Sequence, residues 1–371
     1  MSAFWKENWE QTQQRMIDWW NQDGLVIGKW GALAADKPHE ELPEPPPVSR
    51  EEWHSNPVAR AAHEHYRLAN SCFPGDILPI TAPDLGPGSL CVHLGSEPDF
   101  SRPDTIWFHP AFDEVEDVEK IGPLRFTGDD KWWKFTETYI REIQKLSQGR
   151  YLVGFPDLCN DIDILASLRD PNSLLIDMLE EPEWVEQKLV EINIAFKEVY
   201  SRIHDMVDPD GTLGTASRSF FIWGPGRVGK FQCDTSVMFS EEMFERFVTP
   251  RLTELCDWVD YPLYHLDGTD AMRHLDQLLS IQSLKAIEWT PEAGKPGGAD
   301  PCWYPMYKKI LAAGKSVQIV YLKPHEVPGL LNAIGTKGVY VLPEFESVEE
   351  VEALSKECRQ SQGFGKFFPI S

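Results

Sequence analysis

In the second half of the chain, apolar residues fall in short continuous runs, each closed by Gly, Pro or a polar residue. From residue 150 these runs are RYLVGFPD, SFFIWGPG, YPLYHLDG, LKAIEWTP, KSVQIVYL and GVYVLPEF. Between and after them lie stretches with helical spacing, such as SEEMFERFVTPRLTELCDWV, WYPMYKKILAAG and SVEEVEALSKECRQ. A run that does not alternate suits a strand buried on both faces, and a helix between successive strands makes them parallel. Six such units, with one or two more upstream, approach eight. The pattern therefore predicts an α/β fold of the TIM (β/α)8 barrel type, with an open doubly wound sheet as the alternative.

Upstream the pattern changes. Residues 1–25 have helical spacing and are rich in Trp and Gln, forming an N-terminal helical extension. LVIGKWGAL reads as a first strand ending near Trp30. The Pro/Glu segment KPHEELPEPPPVSREEW that follows is neither regular helix nor central strand. Residues 53–150 mix helical runs (NPVARAAHEHYRLAN, DDKWWKFTETYIREIQKLSQG) with Pro/Gly loops, so residues 31–150 are expected as loop-rich insertions over the barrel mouth. The reading is one domain over residues 1–371. No G-x-G-x-x-G or Walker motif follows any strand, and WGPGRVGK lacks the P-loop spacing.

Composition narrows the function classes. A formal charge of −24 and a pI near 4.8 disfavour nucleic acid and anionic membrane as partners. The cysteines (Cys72, Cys91, Cys159, Cys233, Cys256, Cys302, Cys358) are scattered, with no C-x-x-C, which points to free thiols in a reducing compartment. No signal peptide or spanning segment is legible, so a cytoplasmic protein is expected. Tryptophan is abundant, 14 residues, which is either core material or a surface for stacking on a substrate ring.

In a barrel the chemistry sits at the C-terminal strand ends. Those ends carry Trp30, Asp157 with Asn160, Trp223, His265 with Asp267, Glu288 with Trp289, Tyr321 with Lys323, and Glu344. His265 and Asp267 lie two apart on one strand and face the same side. Glu288 closes the next strand, where it is placed to complete a three-ligand metal site of His265, Asp267 and Glu288. The same spacing also suits a metal-free hydrogen-bonded pair. His274, on the following helix, is expected to face solvent or to pack rather than to ligate.

The stretch CDTSVMFSEEMFERFVTPRLTELCDWVDYPLYHLDGTDAMRHLDQLLSI resembles the uroporphyrinogen decarboxylase-like superfamily, which includes zinc-dependent methyltransferases of the cobalamin-independent methionine synthase and corrinoid kinds. GDILPITAPDLGPGSLCVHLGSE, DTIWFHP and DLCNDIDILASLRDPNSLLIDMLEEPEWVEQKL extend the resemblance. It implies a TIM barrel. In the methyltransferase branch zinc is held by His-x-Cys, an acidic residue on the next strand and a later Cys. Here His265 matches the histidine, Asp267 stands at the first cysteine, and Glu288 matches the acidic ligand. The later cysteine is missing, and Glu344 is the nearby candidate.

A donor set without thiolates leaves a harder, more Lewis-acidic metal, suited to polarising a substrate oxygen. The resemblance thus implies a metal-dependent O-demethylase that passes the methyl of a small methoxylated sugar or aromatic compound to a corrinoid. Zinc is the expected metal. The cobalamin would ride on a separate carrier protein, because no D-x-H-x-x-G motif is present. Trp30, Trp223, Trp289 and Tyr321 are expected to stack on the substrate, Asp157 and Asn160 to hydrogen-bond it, and Asp157, Asp267 and Glu344 to act in catalysis. Barrels of that family often pair, which extends the expectation to a homodimer. The alternative is decarboxylase or lyase chemistry on a small acid, with Asp157 or Asp267 as general acid. Uroporphyrinogen itself is disfavoured, since no arginine follows the first strand. A non-enzymatic ligand-binding barrel would leave the strand-end residues unconverged.

Overall fold

The computed structural model describes residues 4–102 and 105–360. Eight parallel strands carry the fold: β1 Leu25–Ile27, β2 Ile80–Thr81, β3 Leu152–Val153, β4 Val228–Gln232, β5 Tyr261–Asp267, β6 Ala286–Thr290, β7 Ser316–Ile319 and β8 Val339–Val341. Six of them form one parallel sheet in the order β1-β8-β7-β6-β5-β4, while β2 and β3 form a separate parallel pair. Among the described residues the hydrogen bonds therefore define six strands plus two, not a closed ring. β2 and β3 are two residues each, too short to ladder to neighbours on both sides.

Both faces of the sheet are buried, as continuous apolar runs require. Gln232, His265, Glu288, Gln318 and Tyr340 are partners across successive strands and point to one face. Below them on that face Leu263, Ala286 and Val26 pack with Trp19, Trp20 and Trp223. The opposite face buries Leu266, Ile287, Trp289, Val317 and Ile319 against the helices.

The N-terminal helix α1, Trp9–Trp20, buries Thr12, Met16, Trp19 and Trp20, an i, i+4, i+7, i+8 stripe. Its end locks onto the start of β7: Trp19 Nε1 donates to the Val317 carbonyl at 3.3 Å, and Ser316 Oγ donates to the Trp19 carbonyl at 2.5 Å. The expected helices upstream of residue 150 form as α2, Pro57–Ala69, and α3, Lys131–Ser147. Asn56 and Asp130 cap their first turns by accepting from Ala59 N and Trp133 N. No helix among the described residues is long and apolar enough to cross a membrane.

One expected strand is misplaced. SFFIWGPG does not enter the sheet; Thr215–Ser217 and Ile222–Gly224 pair with each other as an antiparallel hairpin. The strand that joins β5 is the next segment, VGKFQ. Its Lys230 and Gln232 interrupt the apolar pattern because they face the same side as His265. The hairpin turn is anchored by that layer: Gln318 Nε2 donates to the Phe220 carbonyl at 2.8 Å, and Tyr340 Oη donates to the Phe221 carbonyl at 2.7 Å. Phe221 holds a left-handed φ of 50°, a conformation a bulky residue keeps only where its surroundings impose it.

Candidate active site

β5 runs straight into Gly268, whose φ of 78° turns the chain sharply after Asp267. Past the turn, Thr269 donates through its amide (2.8 Å) and hydroxyl (3.0 Å) to Glu292, which fixes the loop. His265 and Asp267 thus stay at the open end of the sheet, with Asp267 Oδ2 3.8 Å from His265 Nε2. Glu288 lies on the other side of the imidazole. It is fully buried; one carboxylate oxygen accepts a hydrogen bond from His265 Nδ1 in a short contact, and the other accepts from Thr290 Oγ1 at 2.8 Å. Burial pulls the His265 pKa down, but the Glu288 charge, the hydrogen bond to it and the Asp234 charge together more than reverse this and the net shift is upward.

This placement revises the expected ligand set. Glu288 orients His265 from Nδ1, leaving Nε2 turned toward the opening, and does not share the opening with Asp267. The third group there is Asp234, just past β4. Ligand atoms of Asp234, His265 and Asp267 all lie within 4.8 Å of one another. The Asp234 carboxyl is pushed up to about 7, first by loss of water around it and then by the Asp163 carboxylate, while His265 and Lys230 pull the other way.

A second cluster sits beside the triad. The Lys230 ammonium lies 2.5 Å from Asp157 Oδ1, donates to Gln232 Oε1 in a short contact, and reaches Cys159 Sγ at 3.7 Å. Burial opposes its charge, yet Asp157 and the other acidic groups around it together outweigh burial and raise its pKa. Gln232 then donates to Asp234 at 2.8 Å and to Asp163 at 3.3 Å. Asp163 also accepts from the Asp234 amide and from the amide and hydroxyl of Thr235. Asn160 is not at the surface of this cluster. It is fully buried, accepts from the Gln232 amide at 3.1 Å and donates to Asp161 at 2.6 Å, so it ties the end of β3 to β4. Cys159 and Asp161 on either side of it have φ of 52° and 47°, a strained turn at the site.

Of the four aromatic residues expected to stack, two stand at the opening. Trp30 is 41 % exposed and Tyr321 50 %, their rings 6.2 Å apart. Trp289 is buried on the opposite face against Trp303 at 5.0 Å, because the strand pleat that turns Glu288 inward turns its neighbour outward. Trp223 is buried under α1, edge-on to Trp9 at 5.3 Å, with Nε1 donating to the Leu213 carbonyl. Glu344 is exposed at the rim in an ion pair with Lys323. Phe220, which the spacing did not single out, packs 4.8 Å from the His265 ring and 5.4 Å from Lys230 Nζ. His274 packs, as expected, on Phe244 at 4.3 Å.

Two cavities flank this floor. One, about 450 Å³, is lined by Trp30, Asp84, Asp157, Arg218 and Phe220. The other, about 360 Å³, is lined by Trp107, Phe108, Cys159, Asp163 and Asp234.

No family model matches the sequence, and no curated protein matches it. Among solved structures, the chain is similar in fold to a methyltransferase from Methanosarcina mazei, at a TM-score of 0.61 and 12 % identity, over 95 % of this chain and 99 % of that one.

Proposed function

We propose that the strands curl into a TIM barrel and that the chain is a metal-dependent methyltransferase, removing the methyl of a small methoxylated compound and passing it to a corrinoid on a separate carrier protein. The observation that carries this reading is the Asp234–His265–Asp267 triad, with Glu288 behind His265. The residues fit a divalent ion: a neutral imidazole nitrogen turned to the opening, two carboxylates within reach of it, and repulsion between Asp234 and Asp163 that a cation would relieve. A metal held there supplies Lewis acidity to the ether oxygen. Without thiolates the set is hard, and zinc is the first ion to test.

The protein's own groups then have distinct tasks. Glu288 keeps the His265 ring oriented and its Nδ1 proton in place. Phe220 and Trp30 supply apolar surface beside the reacting carbon and keep water from it. The ether oxygen would keep the electron pair of the broken C–O bond and take up a proton; a corrinoid reduced to Co(I) on its carrier would supply the electron pair that accepts the methyl. The structural likeness to a methyltransferase supports this class of reaction. The alternative, decarboxylase or lyase chemistry with Asp157 or Asp267 as general acid, is less favoured: Asp157 is paired with the Lys230 ammonium at 2.5 Å, and Asp267 stands in the triad beside His265.

The test is methyl transfer from methoxylated sugars and aromatics to reduced cobalamin, before and after chelation. Activity lost with chelator, restored by zinc and absent in Asp234→Ala supports the reading. Turnover of a small acid by fully chelated protein would transfer the assignment to the decarboxylase alternative.

A further inference from the structure

The 450 Å³ cavity beside the triad has a lining that selects among methoxylated compounds. Its apolar side is Trp30, 41 % exposed, together with Phe220, Phe221 and Pro87; the Trp30 ring is tilted to Phe220 (5.7 Å) and stacked with Tyr321 (6.2 Å). The polar side is Asp84, Asp157, Ser219 and Arg218. Arg218 Nη1 lies 3.7 Å from Asp84 Oδ2, its charge also acts on buried Glu64, and its guanidinium makes no hydrogen bond among the described residues. Its side chain is 33 % exposed and brings five N–H donors. Asp84 is fixed through one oxygen by the Gly86 amide (2.9 Å), and Asp157 through one oxygen by Lys230 (2.5 Å). Asp157 thus keeps an oxygen for a ligand, and Asp84 Oδ2 faces Arg218 across 3.7 Å. The turn bearing Arg218 and Phe220 is held from beneath by Gln318 and Tyr340, so these donors and acceptors are preorganised.

A flat methoxylated arene would offer nothing to the unused N–H donors of Arg218 or to the second oxygen of Asp157. An acid would find Arg218 but would also meet the Asp84 and Asp157 carboxylates beside it, and Lys230, already taken by Asp157, Gln232 and Cys159, could not offset them. A ring with one apolar face and vicinal hydroxyls satisfies every group at once. We infer that this cavity takes a neutral polyhydroxylated ring, a sugar or cyclitol bearing a methoxy group. Trp30 lies under its C–H face, and Arg218, Asp84 and Asp157 meet its hydroxyls. The inference rests on the methyl-transfer reading for the methoxy group, but binding itself needs no metal.

Calorimetry on the full-length protein tests it, metal-free and with zinc, using a panel of mono-O-methyl hexoses against 4-methoxybenzoate and 1,2-dimethoxybenzene. At least one sugar should saturate the metal-free protein and bind at least about tenfold tighter than either arene. Arg218→Met and Trp30→Ala, both at half-exposed positions, should each weaken it about tenfold or more in protein that remains folded by circular dichroism. Saturation by an arene and by no sugar, or sugar binding indifferent to both substitutions, overturns the assignment. Sugar binding in a protein that takes no zinc through His265 sinks the methyl-transfer reading and leaves the cavity assignment standing; zinc bound through His265 with no sugar binding does the reverse.

Discussion

Lys230 donates to the carbonyl oxygen of Gln232, so only the amide N–H2 of that side chain remains to face Asp234. The ammonium therefore sets which way the glutamine points, and the glutamine sets where the Asp234 carboxylate stands. Partners of this kind behind metal-binding side chains are worth about 10- to 100-fold in metal affinity. Lys230→Met and Gln232→Met are expected to weaken zinc binding within that range, read by competition with a chromophoric chelator. Equal affinity in both would remove the relay. Glu288→Gln tests the imidazole side: it keeps a hydrogen-bonding group at His265 Nδ1 but removes the charge that raises the His265 pKa. The imidazole pKa, followed by NMR in the metal-free protein, should fall. His265 and Asp267 were legible from a spacing of two on one strand. The same pleat rule applied one residue further along β6 excludes Trp289 from the site, so that displacement was readable too. Asp234 and Phe220 were not, because neither ends an apolar run.

At the scale of elements, the segment between β3 and β4 decides the site. SFFIW has the stronger apolar signal, yet VGKFQ is the sheet strand, because a strand that delivers Lys230 and Gln232 to a polar cluster must carry polar residues inward. Periodicity reports burial in apolar surroundings, so a strand serving buried charges is the kind it misses. The hairpin displaced from the sheet became the floor of the site, anchored by Tyr340 and Gln318. Tyr340→Phe leaves the buried Phe221 carbonyl without its donor, with an expected loss of about 1–3 kcal/mol in urea unfolding. The same variant should loosen Phe220 and Arg218 together; no loss of stability would mean that the turn holds itself. The other five expected runs did form sheet strands, and continuous burial on both faces explains why they were easy to read.

For the whole molecule, folding joins distant parts of the chain. α1 seals the bottom of the sheet against β7 and the hairpin, and α2 meets β2 through Glu64. That carboxylate is buried; burial raises its pKa, but Arg67 at 2.7 Å, Arg218 and Thr81 more than offset this and hold it at about 2 against an ordinary 4.5. The stability it contributes is therefore present above pH 4.5 and is lost as pH falls toward 2, an amount of about 3 kcal/mol. Glu64→Gln should flatten the acid limb of a stability–pH curve in that window; an unchanged slope would assign acid unfolding to other groups. The central claim is that Asp234, His265 and Asp267 hold one metal ion, and plasma mass spectrometry of the purified chain reads it directly. The account predicts close to one equivalent of zinc after incubation and dialysis, lost in Asp234→Ala and in His265→Ala, and retained at reduced occupancy in Glu288→Gln. A folded wild-type chain that takes up no metal, or one whose metal survives both alanine substitutions, would contradict it.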